Sequence, residues 1–173
     1  MKMNLQLFAE AVAGKKIIYL YRILSEAASN AATALAFTTE NERDKTKDAD
    51  STITKDGSIR TPSESETEIT ASSILSKGDT LIDKLETAMD NDEIIEIWEV
   101  NLEEPGSTDG TYKGTYFQGY ITEIDKTANA EDMVEISLTF GVNGKGAKGD
   151  VTVTSGQKEI ATYVFKDTKK ESA

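Results

Sequence analysis

Catalysis at neutral pH draws most often on histidine or cysteine, and this sequence contains neither. Their absence removes Ser-His and Cys-His dyads, thiolate zinc sites and any disulfide framework. What remains is carboxylates, hydroxyls and tyrosines. Glu96 and Glu99 come nearest to an acid/base couple, but three positions apart on a strand they point to opposite faces, which argues against one shared site. Asp48-x-Asp50-x-Thr52 and Asp90-x-Asp92 resemble the opening of calcium loops, without the glycine and distal glutamate that such loops need. Gly144-Lys145-Gly146-Ala147-Lys148-Gly149 matches G-x-G-x-x-G after a strand. A strand-like run follows it where a dinucleotide site needs a helix, so it reads as a flexible β-connection. Tyr112, Tyr116, Tyr120 and Ile124 stand four apart on one expected strand. With no basic groove beside them they read as core or interface, not as a base-stacking platform. The sequence therefore predicts no catalytic set, no cofactor and no metal site.

Charge narrows the partners. The 173 residues carry a formal net charge of −12, which disfavours tight binding to nucleic acid by phosphate neutralisation. Between Asp79 and Glu104 ten acidic residues face Lys84 alone, so that window carries −9 of the total. No apolar run is long enough to span a membrane, and Met1–Phe8 lacks the pattern of a signal peptide. The expectation is a protein made in a reducing cytoplasm.

The elements that would position these residues are mostly strands. Val134, Ile136, Leu138, Phe140 and Val142 alternate with Glu135, Ser137, Thr139 and Gly141. This period of two predicts a strand with one buried face, the spine of an antiparallel sheet. Strands are also expected at 15–24, apolar on both faces, and at 34–39, 66–75, 93–100, 111–124, 150–154 and 160–165. Leu81, Ile82, Leu85, Ala88 and Met89 follow helical spacing behind Asp79, a good N-cap, and predict one helix over about 79–90. From Glu40 to Ser65 apolar residues almost vanish. This stretch reads as a long polar loop with a hairpin at Asp56-Gly57 that ends at Pro62, ordered by a partner. The expected organisation is an N-terminal arm (1–13), one β-domain (14–165) and a flexible tail (166–173). The expected class is mainly β (α+β): an antiparallel sandwich or half-barrel with one flanking helix.

Taken together, Ala13–Arg22, Leu35–Glu40, Asp48–Gly57, Ser73–Asp79, Glu96-Ile97-Trp98-Glu99, Gln118-Gly119-Tyr120 and Val142–Gly146 resemble, in order and spacing, the major tail (tail tube) proteins of long non-contractile phages and prophages of Gram-positive bacteria. The resemblance implies a fold similar to phage tail tube and type VI secretion tube proteins, no enzymatic activity, and hexameric rings stacked into a hollow conduit in the virion tail. Assembly in the bacterial cytoplasm with tape-measure, initiator and terminator proteins is implied too, as is passage of double-stranded DNA without specific binding. Stacking requires reach from ring to ring. Asp48, Asp50, Ser51, Thr52, Lys55, Asp56 and Arg60 on the long loop are the candidates for these contacts. A negative lumen would repel DNA phosphates, and Glu93, Glu96 and Glu99 are the candidates to line it. The rival reading is a monomeric carbohydrate- or receptor-binding β-module, with a pocket lined by Trp98 or the tyrosines.

Overall fold

The alternation in the spine strand is realised directly. The computed structural model describes residues 11–161, with side chains described to Lys158. Within it strand β6 (Glu135–Val142) buries Ile136, Leu138 and Phe140 to 2 % exposure or less. Each such side chain contributes roughly 1.5–3 kcal/mol by leaving water. The remaining strands and α-helices are β1 (Ile17–Ile23), β2 (Thr38–Thr54), β3 (Gly57–Ile74), α1 (Thr80–Asp90), β4 (Ile95–Pro105), β5 (Thr111–Thr127), β7 (Ala147–Thr152) and α2 (Ser155–Ala161). All seven strands join one antiparallel sheet in the order β1-β4-β5-β6-β3-β2, and β7 pairs with β5.

β5 lets this single sheet wrap round a core. Its first half, Thr111–Gly119, lies beside β4, and its second half, Gly119–Thr127, lies beside β6. Gly119 belongs to both ladders, pairing with Ile95 on one side and Val142 on the other. The backbones crowd there: a Cβ on Gly119 would sit 2.3 Å from the Gly141 carbonyl oxygen. Inside the curl, Tyr21 stacks on Phe140 with ring centroids 5.2 Å apart, and Ile69, Ile97 and Phe117 fill the space beside them. α1 covers the core with Ile82, Leu85 and Ala88, and the Asp79 carboxylate accepts the Leu81 amide 2.9 Å away. The helix and its cap are where the periodicity places them.

β1 is apolar on both faces because it serves two cores. Tyr19, Tyr21 and Ile23 enter the main one, while Ile18 and Leu20 enter a smaller cluster with Val100 and Val153.

Five expectations need correction. The polar stretch 40–65 is no loop: β2 and β3 pair from Thr38↔Ser73 to the turn at Thr54↔Gly57. Pro62 does not end the hairpin. It pairs with Ala49 beside a register shift on a ribbon with open edges, where a missing N–H costs no ladder bond. The strand expected at 34–39 begins only at Thr38, because Phe37 adopts φ 49° and turns the chain just before it. Ile124 does not share the tyrosine face. A bulge between Ile121 and Glu123 adds a residue to β5, so Ile121 and Ile124 both point to the main core. Finally, 160–161 belong to a second helix, α2, and not to a closing strand; 162–165 lie outside the described residues, as do most of the N-terminal arm and all of the tail.

Gly119 supplies the test of this geometry. Gly119→Ala is expected to lower the free energy of unfolding by at least about 2 kcal/mol in denaturant titration, since a methyl is forced onto rigid backbone. Gly141→Ala, whose Cβ meets only the Thr122 methyl at 3.1 Å, should cost clearly less.

Candidate functional site

Two features stand out from the folded body: a hairpin arm that leaves it and a set of carboxylates that ties it together. The arm forms because Thr- and Ser-rich strands flank Asp56-Gly57, and Gly57, at φ 132°, takes a backbone conformation open to glycine. The Thr54 hydroxyl donates to the Gly57 carbonyl at 2.6 Å, and the Ser51 and Ser58 hydroxyls bond across the ladder. β3 first meets β6 at Thr67↔Val142, so Gly57–Glu66 and the strand opposite project free of the sheet. At about 3.3 Å per residue the projection reaches roughly 30 Å. Asp48, Asp50, Ser51, Thr52, Lys55, Asp56 and Arg60 all lie on it, and all are exposed. Ile53 and Ile59 are there too, 88 % and 58 % exposed. They pair with Ser58 and Thr52 respectively, so they occupy opposite faces of the ribbon.

The base of the arm is fixed across the mouth of the curled sheet. The Tyr21 hydroxyl donates to Asn41 Oδ1 at 3.2 Å, and Arg43 Nε lies 3.3 Å from Glu99 Oε2. The Arg43 guanidinium also stands 5.7 Å from the centre of the Phe117 ring. Glu99 further accepts the Tyr19 hydroxyl at 2.6 Å. Tyr19 and Glu99 are ladder partners on β1 and β4, and Arg43 ties β2 to that pair where no backbone ladder does.

Glu96 does similar work on the opposite face of β4, as the spacing requires. It is 5 % exposed, lies 2.6 Å from Arg22 Nε and accepts the Tyr116 hydroxyl at 2.8 Å. Gln118 donates to that hydroxyl at 2.6 Å, and Arg22 covers the Trp98 ring at 5.1 Å. Trp98 in turn packs on Tyr116 with centroids 5.2 Å apart. The indole is therefore taken up within the sheet face and lines neither the groove beside α1 nor the one between Glu99 and Lys113. Glu93, half-buried, accepts the Ser25 hydroxyl at 2.6 Å. Among the described residues no group of three or more acidic side chains is arranged to hold a metal ion, and no helix is long and apolar enough to cross a membrane.

Sequence reasoning missed Arg43, which nothing distinguishes within a polar run, and it missed the acidic stripe of α1. That stripe was legible: Asp79, Asp83, Glu86 and Asp90 are spaced 4, 3 and 4 apart, which puts them on one side of a helix.

The tyrosines carry a pH dependence. Burial first, and then the hydrogen bond to Glu99, push the Tyr19 hydroxyl well above its usual 10.0; burial does the same for Tyr21. A raised folded-state value gives stability that is complete below the unfolded value and lost as pH climbs through the folded one. Unfolding stability should hold from neutral pH to about 10 as far as these groups decide it, then fall steeply, with tyrosinate absorbance rising in step. Tyr19→Phe should reduce that alkaline dependence.

Comparison with known proteins covers nearly the whole described chain. Residues 11–148 match the family model described as phage tail tube protein. A protein of Staphylococcus phage phiMR25 described as a tail protein is 33 % identical over 147 residues, 82 % of this chain and 76 % of that protein. The solved SPP1 tail tube superposes with a TM-score of 0.70 at 19 % identity, covering 94 % of this chain and 95 % of that one. The tail of an empty GTA particle, refined with C6 symmetry, gives 0.57 at 14 % identity over 79 % of this chain and 98 % of that one.

Proposed function

We infer the working of this protein from one premise: the chain belongs to the phage tail tube protein family. It is a structural component of a phage tail and hence of the virion. We propose that it assembles into hexameric rings which stack into the hollow tube of a non-contractile tail, through which double-stranded DNA passes without specific binding. The C6 symmetry of the similar GTA tail supports the ring number. In this reading the protein performs no catalysis. Its other partners are the tape-measure, initiator and terminator proteins, and it assembles in the bacterial cytoplasm.

The observation that carries this reading is the arm. A two-stranded ribbon that buries nothing within its own subunit is marginal in water by itself. Here it is long, ordered in register and tied at its base by Arg43 and Asn41. Such an element is suited to contact with another copy, with Asp48, Asp50, Ser51, Thr52, Lys55, Asp56 and Arg60 on the contacting part. Among the acidic candidates for the lumen, Glu96 and Glu99 have their charges matched inside the subunit by Arg22 and Arg43. Glu93 keeps more of its charge available to a lumen. The outer edges of β2 and β7, and what the Tyr21–Thr33 bridge leaves open of β1, would be covered by neighbours, which protects them from indiscriminate pairing.

Electron microscopy of concentrated protein should show rings or tubes; persistent monomers, even with a tail initiator present, would overturn the proposal. Lys47 pairs with Ser65, so replacing Asp48–Glu64 by Asn-Gly should close a short hairpin. That variant should stay folded, with a cooperative unfolding transition at a nearly unchanged midpoint and circular dichroism that loses only the arm's strand signal, and should no longer form tubes.

A further inference from the structure

The end of the subunit remote from the arm tip carries a groove. It lies between α1 and the ends of β3, β5 and β6, with a volume of about 930 Å³. Its apolar lining includes Leu75, Met89, Met133 and Val134, and Met133 is 70 % exposed. One rim is the stripe Asp79, Asp83, Glu86 and Asp90, against which the groove sets only Lys77 and Lys126.

The arm tip is the counterpart of this groove in charge and in exposed apolar surface. It projects Ile53, the most exposed large apolar side chain among the described residues. Around the tip, Lys55 and Arg60 outnumber Asp56. From Arg43 to Thr61 the arm carries five basic and four acidic residues, a net +1 on a chain of −12. The tip cannot reach its own groove. β3 runs from Gly57 at the tip to Ile74, which lines the groove, and 18 residues of strand hold the two apart by roughly 60 Å. A tip and a groove at opposite ends of one chain form a heterologous pair, the kind that extends without closing.

We propose that the groove beside α1 is the socket for the arm tip of a second copy of this chain, Ile53 entering between Met133 and Met89 while Lys55 and Arg60 meet the acidic stripe. This rests on the tube reading and adds to it the receiving surface. Burying one isoleucine gives modest affinity; the complementary charge sets which surface is chosen and how fast. Repetition round a ring multiplies the contact.

The chain has no cysteine, which makes site-directed cross-linking clean. Ile53→Cys/Met133→Cys protein should be assembled into tubes and treated with a short bis-maleimide. A ladder of cross-linked oligomers on denaturing gels is expected, with none from either single variant. Tubes that form without the ladder, or that cross-link only within one chain, overturn the socket and leave the tube reading standing. If the unsubstituted protein never assembles, both fall together. A second pair of variants needs no cross-linker. Asp83→Lys/Glu86→Lys should raise the concentration needed for assembly by roughly tenfold or more, and adding Lys55→Glu/Arg60→Glu should restore much of the loss. Equal impairment in the combined variant would overturn the proposal.

Discussion

The structure depends on the register of β6 between β3 and β5. Ile136, Leu138 and Phe140 sit opposite Ser73, Ala71 and Ile69 on one side, and opposite Lys126, Ile124 and Ile121 on the other. A slip of one residue would turn the apolar set to the polar face, so burial enforces a single alignment. Because β3 continues beyond β6 into the arm, that alignment also sets where the ribbon leaves the body and in which direction it points. The bulge at Thr122 serves the same purpose: it returns Ile124 to the core after the twist of β5 and keeps the two halves of that strand in one sheet.

Carboxylates that the composition presents as surplus acidity turn out to have two distinct uses. Glu96 and Glu99 are spent inside, each held by a guanidinium and a tyrosine hydroxyl: Glu96 reinforces the ladders of β4 with β1 and β5, and Glu99 joins β4 to β2, which shares no ladder with it. The desolvation of such pairs makes them poor sources of net stability but good determinants of geometry. The α1 carboxylates, in contrast, lie outside on the groove rim. A net charge is therefore a poor guide to what any one acidic residue does.

Much of this was legible in the sequence, for identifiable reasons. β6 and α1 announce themselves by clean periods of two and 3.6, and Asp79 by its place before the first helical apolar residue. The two-sided burial of β1 follows from its unbroken run of β-branched and aromatic residues. The arm was legible only at its turn. Its strands bury nothing, so they carry no apolar alternation, and the continuous ladder is fixed by cross-strand pairing that composition does not report. The bulge in β5 was hidden because it depends on how many residues β6 offers opposite. Partners such as Arg43 for Glu99 and Arg22 for Glu96 lie 56 and 74 positions away in sequence. The β1–β4 ladder sets Arg22 opposite Glu96, and the curl of the sheet brings Arg43 to Glu99.

The separation of the arm from the core has an evolutionary consequence. Residues that bury nothing at home are unconstrained by the packing that governs Phe140 or Leu85, and changes at distant sites add nearly independently. Natural variation can therefore rewrite the tip without eroding the scaffold that carries it. A change in what the tip recognises would thus leave the fold beneath it intact.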